Sequence, residues 1–284
     1  MQGGEALSGT LGTLYVVGTP IGNLEDITFR AVRILKEADV VACEDTRQTR
    51  KLLDHHGIRK PVVSYHEHNE AERSRELVAE MLQGVTVALV SDAGMPLISD
   101  PGYRLVRAAI ESSIRVEAVP GPCALVTALA ASGLPADSLY FGGFLPARSG
   151  QRQKALEAFK DAPATLIFYE APHRILDTLA AVEQTLGGRP VVVARELTKV
   201  HEEILRGTAA EIRATLAARE SVKGEITLLI GRGSGVAEDD TPLDEAVDAC
   251  VEQGMPRMEA IKAVAHRRGL SKREVYRELE KLKG

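Results

Sequence analysis

The sequence predicts an α/β protein with two α/β domains and a small helical domain near the C-terminus. First, apolar runs rich in β-branched residues alternate with amphipathic helical patterns, which is typical of sheets covered by helices. Second, a length of 284 residues suits two compact domains better than one. Third, a glycine- and acid-rich stretch near the end precedes three short helical patterns.

The first half of the chain predicts a mostly parallel sheet. Within residues 28–38, the side chains of Ala31, Ile34 and Leu35 fall on one helical face. Strands are expected at residues 13–17, 40–42, 61–64, 85–90 and 113–119. Helices are expected between them, at residues 28–38, 46–55, 70–83 and 103–112. Helical connections of this kind favour parallel strand neighbours.

The second half predicts a mixed sheet. Strands are expected near residues 139–143, 165–169, 191–195 and 225–230, and helices at 124–132, 151–160, 175–186 and 209–219. A further strand at 200–206 follows the strand at 191–195 after a short connection, so we expect this pair to be antiparallel. The predicted domains are residues 13–119, 120–232 and 241–284, with a linker at 233–240.

Charge is distributed unevenly along the chain. The net charge is −5, but residues 257–284 hold nine basic and four acidic residues. This tail therefore carries +5 and the rest of the chain −10. A basic appendage on an acidic body is typical of nucleic-acid contact, although a solvated helix face has the same composition.

Several classes of protein are excluded by composition. A hydrophobic content of 44% without any long apolar run indicates a folded soluble protein without a membrane span. The first ten residues lack the pattern of a secretory signal. Three widely separated cysteines form neither a disulfide framework nor a zinc knuckle, which favours the cytoplasm.

Polar or glycine- and proline-rich segments follow most predicted strands. These segments are residues 18–23, 44–47, 91–102, 120–122, 168–174 and 196–198. Ligands of open α/β sheets bind at the carboxyl ends of strands, so we expect these loops to converge on one cleft. Each loop alone is also compatible with a tight turn or a helix cap; Asp45 and Asp100 have the position of N-caps.

Metal and hydrolase chemistry have little support in the sequence. The histidines of 55–56 and 66–68 lack the spacing of a helical zinc motif, so no metal is expected. No G-x-S-x-G turn and no phosphate-loop lysine occur, which argues against a hydrolase triad and a nucleotide hydrolase.

Five strings carry a family resemblance that covers nearly the whole chain in order. They are LYVVGTPIGNLEDITFRAVRILKEADVVAC at 14–43 with the following EDTR, SDAGMPLISDPG at 91–102, PGPCA at 120–124, FYEAPHR at 168–174 and KGE at 223–225. The chain resembles the ribosomal RNA small subunit methyltransferase I family of the tetrapyrrole methylase superfamily. The resemblance implies two α/β domains of tetrapyrrole-methylase type, a C-terminal helical extension and a homodimer. It also implies transfer of a methyl group from S-adenosyl-L-methionine to the ribose 2′-hydroxyl of a cytidine in 16S ribosomal RNA of the 30S subunit.

The same resemblance places donor contacts in the strand-end loops. The implied residues are Gly18, Thr19, Pro20, Asp92, Ala93, Gly94, Ile98, Ser99, Pro120, Gly121, Phe168, Tyr169, Leu197, Thr198, Gly224 and Glu225. The wider superfamily often has Pro-Gly-x-Ser-Ser where this chain has PGPCA. Because both hydroxyls are missing, Cys123 and Ala124 are given no polar contact, and the ribosomal RNA branch is favoured over the small-molecule branch.

Methyl transfer to a hydroxyl requires alignment and a proton acceptor. The donor is already reactive, so positioning and a general base supply the catalysis. Candidate bases are Glu44, Asp45 and Glu170. Arg47 and Arg174 are candidates for holding phosphate or developing negative charge, although Arg47 also has the spacing to pair with Glu44.

The basic tail resembles a helix-turn-helix. Ser271 and Glu274 form a capping-box pattern, and the predicted core consists of Ile261, Val264, Val275 and Leu279. The predicted RNA contacts, besides Arg174, are Arg267, Arg268, Lys272, Arg273 and Arg277. A small dimerisation or docking bundle is the alternative. For the whole chain, a small-molecule methylase and a ligand-sensing transcription regulator remain the competing interpretations.

Overall fold

The computed structural model describes residues 11–233, 241–268 and 270–281, apart from the side chains of 266, 267, 280 and 281. The described chain folds into two compact units. Unit 1 contains the residues up to Ala131 together with Arg195–Glu203, and unit 2 contains Ser132–Ala194 and the residues from Ile204 onward. The predicted three-domain division stays a prediction.

Unit 1 contains a parallel sheet with the strand order β3-β2-β4-β1-β5. Its strands are β1 (Thr13–Val17), β2 (Val40–Cys43), β3 (Val62–Ser64), β4 (Val87–Leu89) and β5 (Arg115–Val119). The predicted parallel pairing is confirmed. Because β4 lies between β2 and β1, the loops that follow these strands begin side by side at one edge of the sheet.

Helices cover both faces of this sheet. They are α1 (Phe29–Glu37), α2 (Thr46–His55), α3 (Glu70–Leu82) and α4 (Tyr103–Glu111). Helix α5 (Ala124–Ser132) follows β5. Apolar side chains of α1 and α2 pack in one core cluster, and those of α3 and α4 pack in another. Thr28 caps α1 and Asp45 caps α2 by accepting a hydrogen bond from a backbone amide, so the predicted cap at Asp45 is confirmed.

Unit 2 contains a mixed sheet with the order β6-β7-β10-β8-β9. Its strands are β6 (Leu139–Phe144), β7 (Thr165–Glu170), β8 (Pro190–Arg195), β9 (Glu203–Thr208) and β10 (Ile226–Ile230). Strand β6 is parallel to β7, and β10 is antiparallel to it, which confirms the mixed sheet. Strand β9 neighbours β8 as expected but starts at Glu203, because residues 196–201 form bends and turns.

The helices α6 (Ser149–Glu157), α7 (Ile175–Leu186) and α8 (Ala209–Ala217) bury their apolar sides against this sheet. The buried core includes Phe168 from β7 and Leu179 from α7. Helix α8 begins with a capping box between Thr208 and Glu211.

The described tail forms the helices α9 (Leu243–Glu252), α10 (Arg257–Arg267) and α11 (Lys272–Lys281). Their shared core contains the four residues predicted from the sequence, Ile261, Val264, Val275 and Leu279. The predicted capping box is confirmed, because the Ser271 amide donates to Glu274 Oε2 at 2.7 Å and the Glu274 amide donates to Ser271 Oγ at 3.2 Å. Residues 234–240 of the predicted linker lie outside the described residues.

None of the helices in the described ranges is long and apolar enough to cross a membrane.

Candidate active site

The loops after β1 and β5 touch through two glycines. A Cβ atom on Gly18 would lie 2.7 Å from the Cα of Gly121, and one on Gly121 would lie 2.8 Å from the Cα of Gly18. No side chain fits at such a distance, so both positions require glycine for the close approach of the two backbones. The predicted donor residues Gly18 and Gly121 are therefore neighbours in unit 1.

The loop after β4 joins the loop after β1 by paired backbone hydrogen bonds. The Thr19 amide donates to the Gly94 carbonyl at 2.9 Å, and the Gly94 amide donates to the Thr19 carbonyl at 3.1 Å. The Thr19 hydroxyl, which is buried, donates to the Ser91 carbonyl at 3.1 Å. Thr19 is thus fixed in the unit and ties two of the predicted donor loops together.

Backbone strain is concentrated in two of the predicted donor segments. Leu97, Ser99, Glu196 and Thr198 have positive φ angles of 73°, 65°, 51° and 65°. Such conformations cost about 1–3 kcal/mol each in residues other than glycine and cluster at functional sites. Among the described residues outside these segments, Ser113 alone shares this property without being glycine.

The segment 195–203 packs against the loop after β1. A Cβ atom on Gly22 would lie 2.4 Å from Lys199 Cγ and 3.2 Å from the Leu197 carbonyl oxygen. In this segment, the Thr198 hydroxyl is buried and has no hydrogen-bond partner among the described residues. A buried polar atom without a partner is costly, which points to a ligand that supplies one.

Acidic side chains gather at the carboxyl ends of β2 and β4. The Asp45 amide donates to Asp92 Oδ1 at 3.0 Å, which links the two loops. Glu44 is exposed as a residue, but partial desolvation of its carboxyl, followed by the charge of Asp92 and of Glu67, raises its pKa. Burial and the charge of Glu44 raise the pKa of Asp100 to about 6, against the effect of its hydrogen bond with Ser91.

Asp100 does not cap a helix. The N-cap of α4 is Gly102, so the cap that the sequence left open as an alternative for Asp100 is wrong. Two residues separate Asp100 from the helix, and its carboxyl instead turns toward Ser91 and the acidic side chains. The S-D-P-G string indicates a turn. It does not indicate that Asp100 lies near Glu44, because that proximity depends on the pairing of β2 with β4.

Asp45 and Arg47 form an exposed pair. Arg47 donates to both carboxyl oxygens of Asp45, at 3.2 Å from Nε and 3.0 Å from Nη2. These hydrogen bonds lower the pKa of Asp45 and keep its carboxylate ionised. Arg47 therefore pairs with Asp45, where the sequence left a pairing with Glu44 open.

Glu170 and Arg174 are enclosed in unit 2. The Glu170 side chain is fully buried, accepting hydrogen bonds from the Thr178 hydroxyl at 2.5 Å and the Ala171 amide at 2.9 Å. The Arg174 guanidinium lies 3.2 Å from Glu170 and donates to the Leu145 carbonyl. Both predicted functional residues are thus used to hold the end of β7 and the loop after β6.

The unit 2 residues named for donor contact share one edge of the sheet. Because β10 runs antiparallel to β7, with Ile226 opposite Glu170, Gly224 and Glu225 come just before the paired stretch, at the end of β7. Tyr169 and Phe168 pair with Thr227 and Leu228, one and two positions further along. Phe168 is 2% exposed and packs in the core, so its ring is enclosed within unit 2.

The predicted RNA contacts of the tail lie on its surface where the structure describes them. Lys272, Arg273 and Arg277 are exposed. Arg268 is half-buried and donates to the Thr241 carbonyl. The side chain of Arg267 lies outside the described residues.

Comparison with known proteins identifies the family. The sequence model of "Tetrapyrrole (Corrin/Porphyrin) Methylases" matches residues 13–213. Proteins named "Ribosomal RNA small subunit methyltransferase I" are 53% identical in Halalkalibacterium halodurans, over 93% of both chains, and 44% identical in Escherichia coli O157:H7, over 98% of both chains.

Solved structures show the same fold. A uroporphyrin-III-C-methyltransferase from Thermus thermophilus superposes with a TM-score of 0.56 at 23% identity, covering 78% of this chain and 94% of that one. A diphthine synthase gives 0.62 at 14% identity, over 78% of this chain and 90% of that one. A structure of the Thermus enzyme was obtained in complex with S-adenosyl homocysteine. With the glycine-lined loops and nearly full-length similarity taken together, the chain belongs to the ribosomal RNA small subunit methyltransferase I family of the tetrapyrrole methylases.

Proposed function

We propose that the protein transfers a methyl group from S-adenosyl-L-methionine to the ribose 2′-hydroxyl of a cytidine in 16S ribosomal RNA. The observation that carries the proposal is the 53% identity, over 93% of both chains, to a curated ribosomal RNA small subunit methyltransferase I. The loops after β1, β4 and β5, which the sequence assigned to the donor, gather at one edge of the unit 1 sheet, and this supports a donor site there.

The residues of unit 1 fit such a donor. The contact of Gly18 with Gly121 brings the backbones of two of these loops together, and the Thr198 hydroxyl lacks a partner among the described residues. The bound donor supplies an electrophilic methyl group on a positively charged sulfur. Acidic neighbours such as Asp92 favour a cation at this edge. The remaining proposed contacts are Thr19, Pro20, Ala93, Gly94, Ile98, Ser99, Pro120 and Leu197 in unit 1, and Phe168, Tyr169, Gly224 and Glu225 in unit 2.

Glu44 is the proposed general base. Its residue is exposed and its carboxyl pKa is raised, so it can both reach a hydroxyl and accept its proton. Asp45 is occupied by its own helix and by Arg47. Glu170 is buried and bound by Thr178 and Arg174, so we assign it the support of Arg174 and not proton transfer.

Arg47 and the basic tail are the proposed contacts to the RNA backbone. Arg47 has an 85% exposed side chain that pairs with Asp45, and its guanidinium can reach a phosphate from there. Lys272, Arg273 and Arg277 are exposed on α11. Arg267 and Arg268 remain part of this proposal. We further propose that the protein works as a cytoplasmic homodimer.

Acceptor choice tests the function. Purified protein would be incubated with methyl-labelled S-adenosylmethionine and, in parallel, with unmodified 30S subunits, naked 16S RNA or uroporphyrinogen III. We expect label in 16S RNA from one or both RNA samples. Label in the tetrapyrrole alone would overturn the proposal.

A further inference from the structure

The edge strand of the unit 2 sheet carries an exposed aromatic side chain that is not part of the hydrophobic core of this unit. Phe144, the last residue of β6, is 56% exposed. Its ring centroid lies 5.9 Å from that of Tyr169 at the end of β7, in an edge-to-face arrangement. Tyr169 also meets Phe141 at 5.0 Å, so one side of Phe144 is supported by fixed rings while the other faces solvent.

A β-bulge creates this exposure. Phe141 lies opposite Ile167 and Phe144 lies opposite Tyr169, so β6 has one more residue than β7 across this interval. Gly143 takes the left-handed conformation that the bulge needs, with φ of 61°. Bulges next to sheet edges redirect side chains, often at functional sites. Here the bulge brings an aromatic ring to the same edge as Tyr169.

The segment directly after β6, at the start of helix α6, carries a positive charge that no acidic residue of the first helical turn balances. Helix α6 begins after Arg148, which is exposed and makes no side-chain cap, and the first turn of the helix has no acidic residue. The first amides of such a helix lack partners inside the helix and attract anions. Arg148 adds an exposed guanidinium at the same end.

A buried arginine supplies independent support for an anion. Arg152 is 4% exposed, its Nη1 lies 3.4 Å from the Ala147 carbonyl, and its Nε has no hydrogen-bond partner among the described residues. Within the described chain, no carboxylate forms an ion pair with Arg152. A buried charge without a counter-ion is costly unless an anion approaches it. The contact with Ala147 aims this guanidinium at the loop that precedes α6.

We propose that residues 144–152, here called the β6–α6 rim, bind one unpaired nucleotide of the RNA substrate. The base stacks on Phe144, and the adjoining phosphate lies at the start of α6 beside Arg148. Sequence-specific RNA recognition targets unstacked bases in this way, with aromatic rings as platforms. Arg174 contributes by holding the Leu145 carbonyl, and so acts as a positioning residue for the rim. The inference rests on the proposed ribosomal RNA substrate.

The test compares Phe144→Leu, Phe144→Tyr and Arg148→Ala in the full-length enzyme. Binding of a fluorescein-labelled single-stranded RNA covering the methylated region is measured over a range of salt, alongside methylation of unmodified 30S subunits. Phe29→Leu and Arg213→Ala are matched controls, since Phe29 is 97% exposed in unit 1 and Arg213 pairs with Glu183 on the surface. Binding of S-adenosylhomocysteine reports that the variants are folded.

We expect Phe144→Leu to weaken RNA binding about tenfold, because it removes one stacked base, and Phe144→Tyr to bind like the wild type. Arg148→Ala should lower the slope of log affinity against log salt by about one, as loss of one phosphate contact does. If both Phe144→Leu and Arg148→Ala keep the RNA affinity and the salt slope of the wild type, the proposal that the β6–α6 rim binds a nucleotide is overturned. A change in sedimentation without a change in RNA affinity would likewise overturn it, in favour of a protein interface. Absence of RNA methylation by the wild type would overturn the proposed function and this inference with it.

Discussion

The contact between Gly18 and Gly121 allows a sharp test of the donor site. In Gly18→Ala, the new Cβ atom would lie 2.7 Å from both the Gly121 Cα and the Met95 sulfur. Carbon atoms pack at about 3.5–4.0 Å, so the two loops must separate by about 1 Å. Overpacking of this kind costs about 1–3 kcal/mol, and each kcal/mol lowers Tm by about 2–4 °C in a protein of this size. We therefore expect a lower Tm together with at least a tenfold loss of affinity for S-adenosylhomocysteine.

Thermal unfolding and calorimetric titration of S-adenosylhomocysteine measure both effects. Gly188→Ala is the matched control, because a Cβ atom on Gly188 would meet nothing within 4 Å. The control should bind the ligand like the wild type. A Gly18→Ala protein with the Tm and the ligand affinity of the control would refute the contact and its role.

Three further predictions concern the base, the acidic cluster and the tail. Glu44→Gln should lower turnover on 30S subunits about 10²–10⁴-fold while affinity for S-adenosylhomocysteine is kept, and unchanged turnover would remove Glu44 from the reaction. The folded-state pKa of Asp100 is raised to about 6, so stability due to its protonated form is present below its ordinary pKa near 3.8 and is lost as pH rises through about 6. The free energy of unfolding in urea, taken as Asp100→Asn minus wild type, should therefore be larger at pH 8 than at pH 4. The same difference at both pH values would contradict the pKa shift. Leu279 is 6% exposed in the tail core, so Leu279→Ala should destabilise the tail by about 2–5 kcal/mol. RNA binding should weaken while donor affinity is kept. Unaltered RNA binding would argue for a docking role of the tail.

The sequence was most informative where local patterns determine structure. Thr46–His55 and Ile175–Leu186 were predicted to the residue, because each has a regular apolar face, the first begins at the Asp45 cap and the second ends at Gly187. The capping box of Ser271 with Glu274 is also local, since its two residues are three positions apart. The loops after β1, β4 and β5 were predicted to be neighbours from a general property of parallel sheets.

Features that depend on distant contacts were missed. β9 starts at Glu203 and not at residue 200, because residues 196–201 form bends and turns that the sequence pattern did not indicate. Glu170 resembled an active-site acid in sequence, but Thr178, one helix turn into α7, buries and binds it. The sequence did not distinguish Arg152 from the other basic residues, because its burial depends on tertiary packing.

The central claim is methyl transfer to a ribose hydroxyl, and the chemical position of the methyl group tests it most directly. After reaction of the enzyme with labelled donor and unmodified 30S subunits, the 16S RNA would be hydrolysed with alkali and the labelled products separated. Because a methylated 2′-oxygen blocks cleavage of the neighbouring phosphodiester, we expect the label in an alkali-resistant dinucleotide that begins with cytidine. Label released as a single nucleotide with a methylated base would contradict it.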